Sequence, residues 1–184
     1  MSIYANRGQA LEGSVKLTAT VYRKRGLAYV ERVGQQAVHK RGGELKRRRS
    51  TVDFLGVAAG MAVAFDCKET KISRLPRDHV PQHQRDVLED TERAGGVAFL
   101  LVEFTRAPGY PIYAAAWSWC ADYLKRADRA SWPLQAFQDA VDKGEPVVQV
   151  HRGKYGVPVP FLEAAISLNQ RLVDRAMLNA KAGG

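Results

Sequence analysis

The chain has 184 residues, of which 46% are hydrophobic and 26% charged, the composition of one ordinary globular domain rather than of a disordered or collagen-like chain. Its two cysteines, Cys67 and Cys120, are too few for a disulfide scaffold and lack metal-ligand spacing. The net charge of +9 lies wholly in the first quarter: residues 1–49 hold 12 Lys and Arg against 3 acids, and residues 50–184 hold 16 of each.

The longest nearly apolar stretch, 56–65, is about half of the roughly 20 residues that a membrane crossing needs. The first thirty residues carry Arg7, Glu12, Lys16 and Arg23 and no apolar core of a secretory signal. These features point to a cytoplasmic protein without a membrane role. The densest basic run is Lys46-Arg47-Arg48-Arg49, with Lys40-Arg41 just before it. Such a run suits a polyanion, because each neutralised phosphate releases a condensed counterion. It contains no hydrophobic residues for insertion into a lipid surface.

In chain order, Asn6 can cap a helix whose apolar face is Leu11, Val15, Ala19 and Tyr22, and Arg23-Lys24-Arg25 before Gly26 ends it. Residues 27–33 read as a strand. Residues 34–49 are basic and without period, a loop or a projecting hairpin. Residues 51–57 and 61–68 read as two strands joined tightly by Ala58-Ala59-Gly60. A polar loop with Pro76 and Pro81 follows, then a helix over 82–94 ended by Gly95-Gly96. Residues 97–104 form a continuous apolar run, as in a strand buried on both faces. A strand over 112–116, short helices over 117–127 and 134–141, and a strand over 147–150 come next. The last element is a helix over 160–180 with Leu162, Ile166, Leu172 and Val173 facing inward. The expected class is α/β, with one mixed β-sheet flanked by helices in a single domain over 1–184.

The pattern with chemical content is Asp53, twelve residues, then Asp66-Cys67-Lys68. Alternate residues of a strand share a face, so Ala62, Ala64, Asp66 and Lys68 point one way and Val63, Phe65 and Cys67 the other, into the core. Asp66 and Lys68 are then expected to emerge side by side at the strand end. If Asp53 pairs near Asp66, two carboxylates and an ammonium converge. Two carboxylates at short range repel unless a cation sits between them. Hard oxygen ligands suit Mg²⁺ or Mn²⁺, with the Cys67 main-chain carbonyl as a further ligand. Lys68 could orient a water and offset charge on the phosphate. This is a parts list for phosphodiester hydrolysis. The plainer alternative is a surface Asp–Lys pair worth almost nothing. The Cys67 thiol reads as a buried small residue, the four histidines form no zinc pair with the cysteines, and Trp117, Trp119 and Trp132 read as core or dimer contacts.

These motifs resemble those of the RecU-type Holliday-junction resolvases, a branch of the PD-(D/E)xK nucleases. Asn6-Arg7-Gly8 with Leu11-Glu12 is similar to the family's opening helix. Ser50-Thr51-Val52-Asp53-Phe54 with Gly56 is similar to its Ser-Thr-Thr-Asp-Tyr-x-Gly segment, and Phe65-Asp66-Cys67-Lys68-Glu69-Thr70-Lys71 to its Phe-Glu-Ala-Lys-Glu-Thr-Lys segment. His83-Gln84, the run 96–104 and Tyr155-Gly156-Val157-Pro158 follow in the family's order. The resemblance implies a restriction-endonuclease-like fold with residues 34–50 inserted as a basic stalk that projects into the junction. It implies a homodimer that cuts two opposed strands of a four-way junction with Mg²⁺ or Mn²⁺, in DNA recombination and repair. A recombinase or branch-migration machinery is a further possible partner. Carried over by residue, it implies catalysis by Asp53, Asp66, Lys68 and Gln84. Metal binding falls to Asp53, Asp66, the Cys67 carbonyl and Glu12. The implied DNA-binding set is Asn6, Arg7, Lys40, Arg41, Lys46, Arg47, Arg48, Arg49, Thr51 and Lys71. Asp66 stands where the family usually has Glu, Val52 where it has Thr, and the stalk is shorter. Two alternatives stay open: a restriction-like or repair nuclease on other DNA structures, and a basic nucleic-acid-binding protein without catalysis.

Overall fold

The computed structural model describes residues 9–33, 37–39, 45–47, 51–126, 128–154 and 156–182. Helix α1 (Gln9–Lys24) buries Leu11, Val15, Ala19 and Tyr22, the face that the periodicity predicts. The chain turns at Gly26, whose φ of 68° costs glycine no Cβ clash. Strand β1 (Ala28–Arg32) follows. In the basic segment, β2 (Ala37–His39) pairs antiparallel with β3 (Leu45–Arg47), so the hairpin alternative holds over those residues. Strands β4 (Phe54–Ala58) and β5 (Met61–Thr70) are joined by the two-residue turn Ala59-Gly60, with φ of 47° and 78°. Two left-handed residues give the turn whose twist matches that of the strands.

Next come β6 (Arg74–Pro76), a single 3-10 turn at Arg77–His79, α2 (Gln82–Arg93), β7 (Val97–Phe104) and β8 (Ile112–Ala116). The chain continues through α3 (Trp117–Lys125), β9 (Ser131–Pro133), α4 (Leu134–Asp142), β10 (Val147–Val150) and α5 (Phe161–Ala182). The main sheet has six strands in the order β1-β4-β5-β7-β8-β10. Every neighbouring pair in it is antiparallel except β5–β7. That parallel pair needs a crossover, and α2 supplies it. The class is therefore mixed α/β, mostly antiparallel, with helices on both faces.

One apolar cluster fills the space between the sheet and α1 and α5, and a second the space between the sheet and α2, α3 and α4. Phe54, Phe65 and Phe99 stack across three adjacent strands at 5.1 and 4.6 Å, and Phe161 of α5 closes on Phe65 at 5.3 Å. Burying each such side chain contributes roughly 1.5–3 kcal/mol. The three tryptophans are buried in the second cluster.

Several expectations need correction. The strand expected from Thr51 begins at Phe54, which leaves Asp53 in the bend that feeds it. The polar loop expected after Lys68 holds the end of β5, then β6, which pairs with β9. So there are three sheets, not one. A three-residue ribbon is too short to leave a period in the sequence. On β5 both faces are core: Ala64 and Asp66 are as buried as Phe65 and Cys67, because α2 covers the face assumed open. In α5, Ile166 and Val173 are exposed rather than inward. Leu162 and Leu172 do pack on the sheet cluster, but the outer half of a 22-residue helix outruns it.

Gly56 is set by close approach. A Cβ there would meet the Tyr29 carbonyl oxygen at 2.0 Å and Val30 Cα at 2.6 Å, both main-chain atoms of β1. Neither can rotate away, so one strand must move. Gly56→Ala is expected to cost roughly 2–4 kcal/mol. For a chain of this size that lowers Tm by roughly 5–10 °C, measured by thermal unfolding. An unchanged Tm would refute the Val30–Gly56 register.

Candidate active site

The register Phe54↔Phe65 places Asp53 opposite Asp66, on the sheet face that carries Lys68. Asp53 is fixed at both ends. Its Oδ2 accepts a hydrogen bond from the Cys67 amide at 2.8 Å, and its carbonyl accepts one from the Val33 amide at 2.8 Å. The hairpin turn therefore sets the distance between the two carboxylates.

Asp66 is fully buried. Oδ2 forms an ion pair with Lys68 Nζ, while Oδ1 has no hydrogen-bond donor among the described residues. Burial pushes its carboxyl up to about 7; Lys68 opposes the rise, and Asp53 adds to it. Lys68 also donates to Gln84 Oε1 at 3.0 Å. Gln84 is buried in the first turn of α2, so the crossover helix clamps the ammonium from above the sheet. Glu12 reaches the same region from α1. Its Oε2 pairs with Arg32 at 2.6 Å. Burial raises its pKa first and the Asp53 charge next, with Arg32 and Lys68 acting against them.

The structure thus brings Asp53, Asp66, Lys68, Gln84 and Glu12 together. It does not leave Asp66 and Lys68 emerging at a strand end: the pair is enclosed, and a buried carboxylate with one cationic partner and a second oxygen without a donor is costly unless something further compensates it. Burial also pushes the Cys67 thiol up, which removes it as a nucleophile. Among the described residues, no three His, Cys, Asp or Glu side chains already converge on one point. The Asp66 oxygens, Asp53 beside them and the intervening main chain are nevertheless hard oxygen donors of the kind that Mg²⁺ or Mn²⁺ takes.

Of the expected DNA-binding residues, Thr51 and Lys71 lie exposed in bends. Lys46 and Arg47 lie on β3. Asn6, Arg7, Lys40, Arg41, Arg48 and Arg49 fall outside the described residues. Two nearby residues carry no role in the sequence reading: Arg32, at the end of β1, and Glu69, whose Oε1 accepts the Leu11 amide at 2.6 Å. The Lys-Glu-Thr-Lys segment draws notice to Glu69, but a contact across 58 positions leaves no local signal.

A model of the Recombination protein U (RecU) family matches residues 6–164. The chain belongs to the RecU family. Among curated relatives it is similar to the Holliday junction resolvase RecU of Mycoplasmopsis pulmonis, 29% identical over 53% of this chain and 62% of that protein. It is also similar to the Holliday junction resolvase RecU of Geobacillus kaustophilus, 31% identical over 55% of this chain and 57% of that one. A longer match, to the Staphylococcus epidermidis Holliday junction resolvase RecU, is 25% identical over 86% of this chain and 76% of that protein. The chain thus spans about six-tenths of the length of the first two relatives. The RecU match includes every residue of the carboxylate–lysine centre, and no helix among the described residues is long and apolar enough to cross a membrane.

Proposed function

We propose that this RecU-family chain is a metal-dependent, structure-selective DNA endonuclease that resolves four-way junctions by paired nicks. The observation that carries the reading is the fully buried Asp66, which among the described residues has Lys68 on one oxygen, no donor on the other, and the Asp53 carboxylate against it. A structural ion pair gains nothing from leaving its carboxylate unsatisfied; a site for a cation and a phosphate does. The names of the relatives, each a Holliday junction resolvase, supply the substrate class. The hairpin that bears Asp53 and Asp66, followed by the parallel β5–β7 pair, supports a restriction-endonuclease-like core.

Asp53, Asp66 and the Cys67 main-chain carbonyl would hold the cation, with Glu12 beside them. When bound there, Mg²⁺ or Mn²⁺ supplies polarisation of the phosphate and an acidified water. The protein's own part is distinct. Lys68 Nζ, held between Asp66 and Gln84, places a positive charge where the phosphate gains negative charge. Gln84 keeps that ammonium in register, and the buried face excludes bulk water. The basic segment over 34–50 would follow the junction backbone, since phosphate contacts position a protein without reading bases. Tyr29, Leu55 and Val57 form an exposed apolar terrace on the sheet face of Asp66. That terrace supports docking of a second copy, and a two-fold symmetric dimer matches paired nicks in a symmetric junction.

The test is cleavage of an immobile four-way junction beside the matching linear duplex, with Mg²⁺, Mn²⁺ or EDTA. Paired nicks in the junction alone, lost in EDTA, are the expected result. Equal cutting of both DNAs would remove the junction selectivity. Tight junction binding without cutting under either metal would remove the nuclease.

A further inference from the structure

We infer that Glu69 is a positioning residue: its carboxylate anchors the first turn of α1 to β5 and so holds Glu12 against the catalytic carboxylates. The inference rests on the nuclease reading above.

Glu69 follows Lys68 on β5, so its side chain leaves the opposite face of the sheet, toward α1. There Oε1 accepts the amide of Leu11 at 2.6 Å. That amide belongs to the first described turn of the helix, where a side-chain acceptor can serve an N–H near the helix start. Leu11 is fully buried, so water cannot serve it. A carboxylate here also meets the positive end of the helix. The cap that sequence reading assigns to Asn6 therefore has a counterpart 58 positions away, on the catalytic strand itself.

The anchor lies one residue from Glu12. Glu12 and Asp53 repel each other, and without restraint the first turn of α1 would move off the site. Two restraints oppose that motion. Arg32 pairs with the Glu12 side chain, and Glu69 holds the main chain beside it. The neighbouring strand shows why Glu69 is available. Glu103 of β7 lies in register with it, and Arg152 takes up that carboxylate at 2.5 Å. Of two adjacent carboxylates, one is spent on an arginine and the other on the helix.

Two variants separate the roles. Glu69→Gln keeps the Oε1 acceptor; Glu69→Ala removes it. Junction cleavage, junction affinity and amide hydrogen exchange at Leu11 and Glu12 are measured for each, alone and combined with Glu12→Ala. Glu69→Ala is expected to lower kcat about tenfold to a hundredfold, to speed exchange in the first turn of α1, and to change junction affinity less than about threefold. Glu69→Gln is expected to restore most of the rate. In the Glu12→Ala background, Glu69→Ala is expected to cost nothing further, because it acts through Glu12. Losses that multiply, or unchanged exchange at Leu11, would overturn the inference and leave the nuclease standing. A wild-type protein that cuts no DNA would overturn the nuclease reading and this inference with it.

Discussion

Asp66→Asn is expected to abolish junction cleavage and, in EDTA at pH 8, to raise the melting temperature. The two effects have one cause. The wild-type carboxylate is fully buried with, among the described residues, Lys68 as its one cationic partner and no donor for Oδ1, and burial raises its pKa to about 7. A raised carboxyl pKa means that the folded state binds the proton more tightly than the unfolded state does. Stability is then highest below the unfolded value of roughly 4 and falls as pH rises toward the folded value. At pH 8 the charged form costs roughly 2–4 kcal/mol. An amide of the same shape removes that cost, which is already net of the attraction to Lys68. The net gain in Tm is roughly 5 °C, and it should vanish near pH 4, where wild-type Asp66 is already protonated. The loss of cleavage should be roughly thousandfold or more. Mg²⁺ or Mn²⁺ should raise the wild-type Tm and not the variant's, since a ligand stabilises only the state that binds it. A variant less stable than wild type at pH 8 would show that Asp66 is a structural ion-pair partner.

The second large effect is expected at Lys68. Lys68→Met keeps most of the side-chain volume and removes the ammonium that touches both Asp66 and Gln84. Cleavage should fall roughly a hundredfold to a thousandfold, with junction affinity nearly unchanged. The sign of the pH effect follows from the site. Lys68 is the main influence holding the Asp66 pKa down, so without it that pKa rises further. The acid limb of the residual activity should therefore move to higher pH, because Asp66 must be ionised to act. An acid limb that stays in place would mean that Asp66 does not govern it.

How far the site could be read from the sequence depended on which physical rule applied to each residue. Asp66 and Lys68 obey strand parity, which needs only their spacing, and the tight Ala59-Gly60 turn sets the register that brings Asp53, in the bend before β4, level with Asp66. The burial of Asp66 was not legible. A strand with one charged end looks one-sided, and only the crossover of α2 covers the second face. Gln84 and Glu12 came from family likeness, since nothing local says which turn of a helix meets a strand. Glu69 and Arg32 act across long separations and left no trace of their roles. The outer part of α5 misled because 3.6-residue periodicity marks an apolar stripe without saying where the sheet beneath it stops.

β1 and β4 are adjacent antiparallel strands, and the Val33 amide closes on the Asp53 carbonyl just beyond their last paired residues. The residues between those two positions connect β1 to β4, with the β2–β3 pair among them. A change in the length or charge of that connection leaves the β1–β4 register in place, so under the proposed function the reach toward DNA can vary while Asp53 stays fixed. The same closure is also a mechanical link. Under the proposed nuclease reading, the residue bonded to the departure point of that connection is also a metal-binding carboxylate, so a load on the connection would be carried to Asp53.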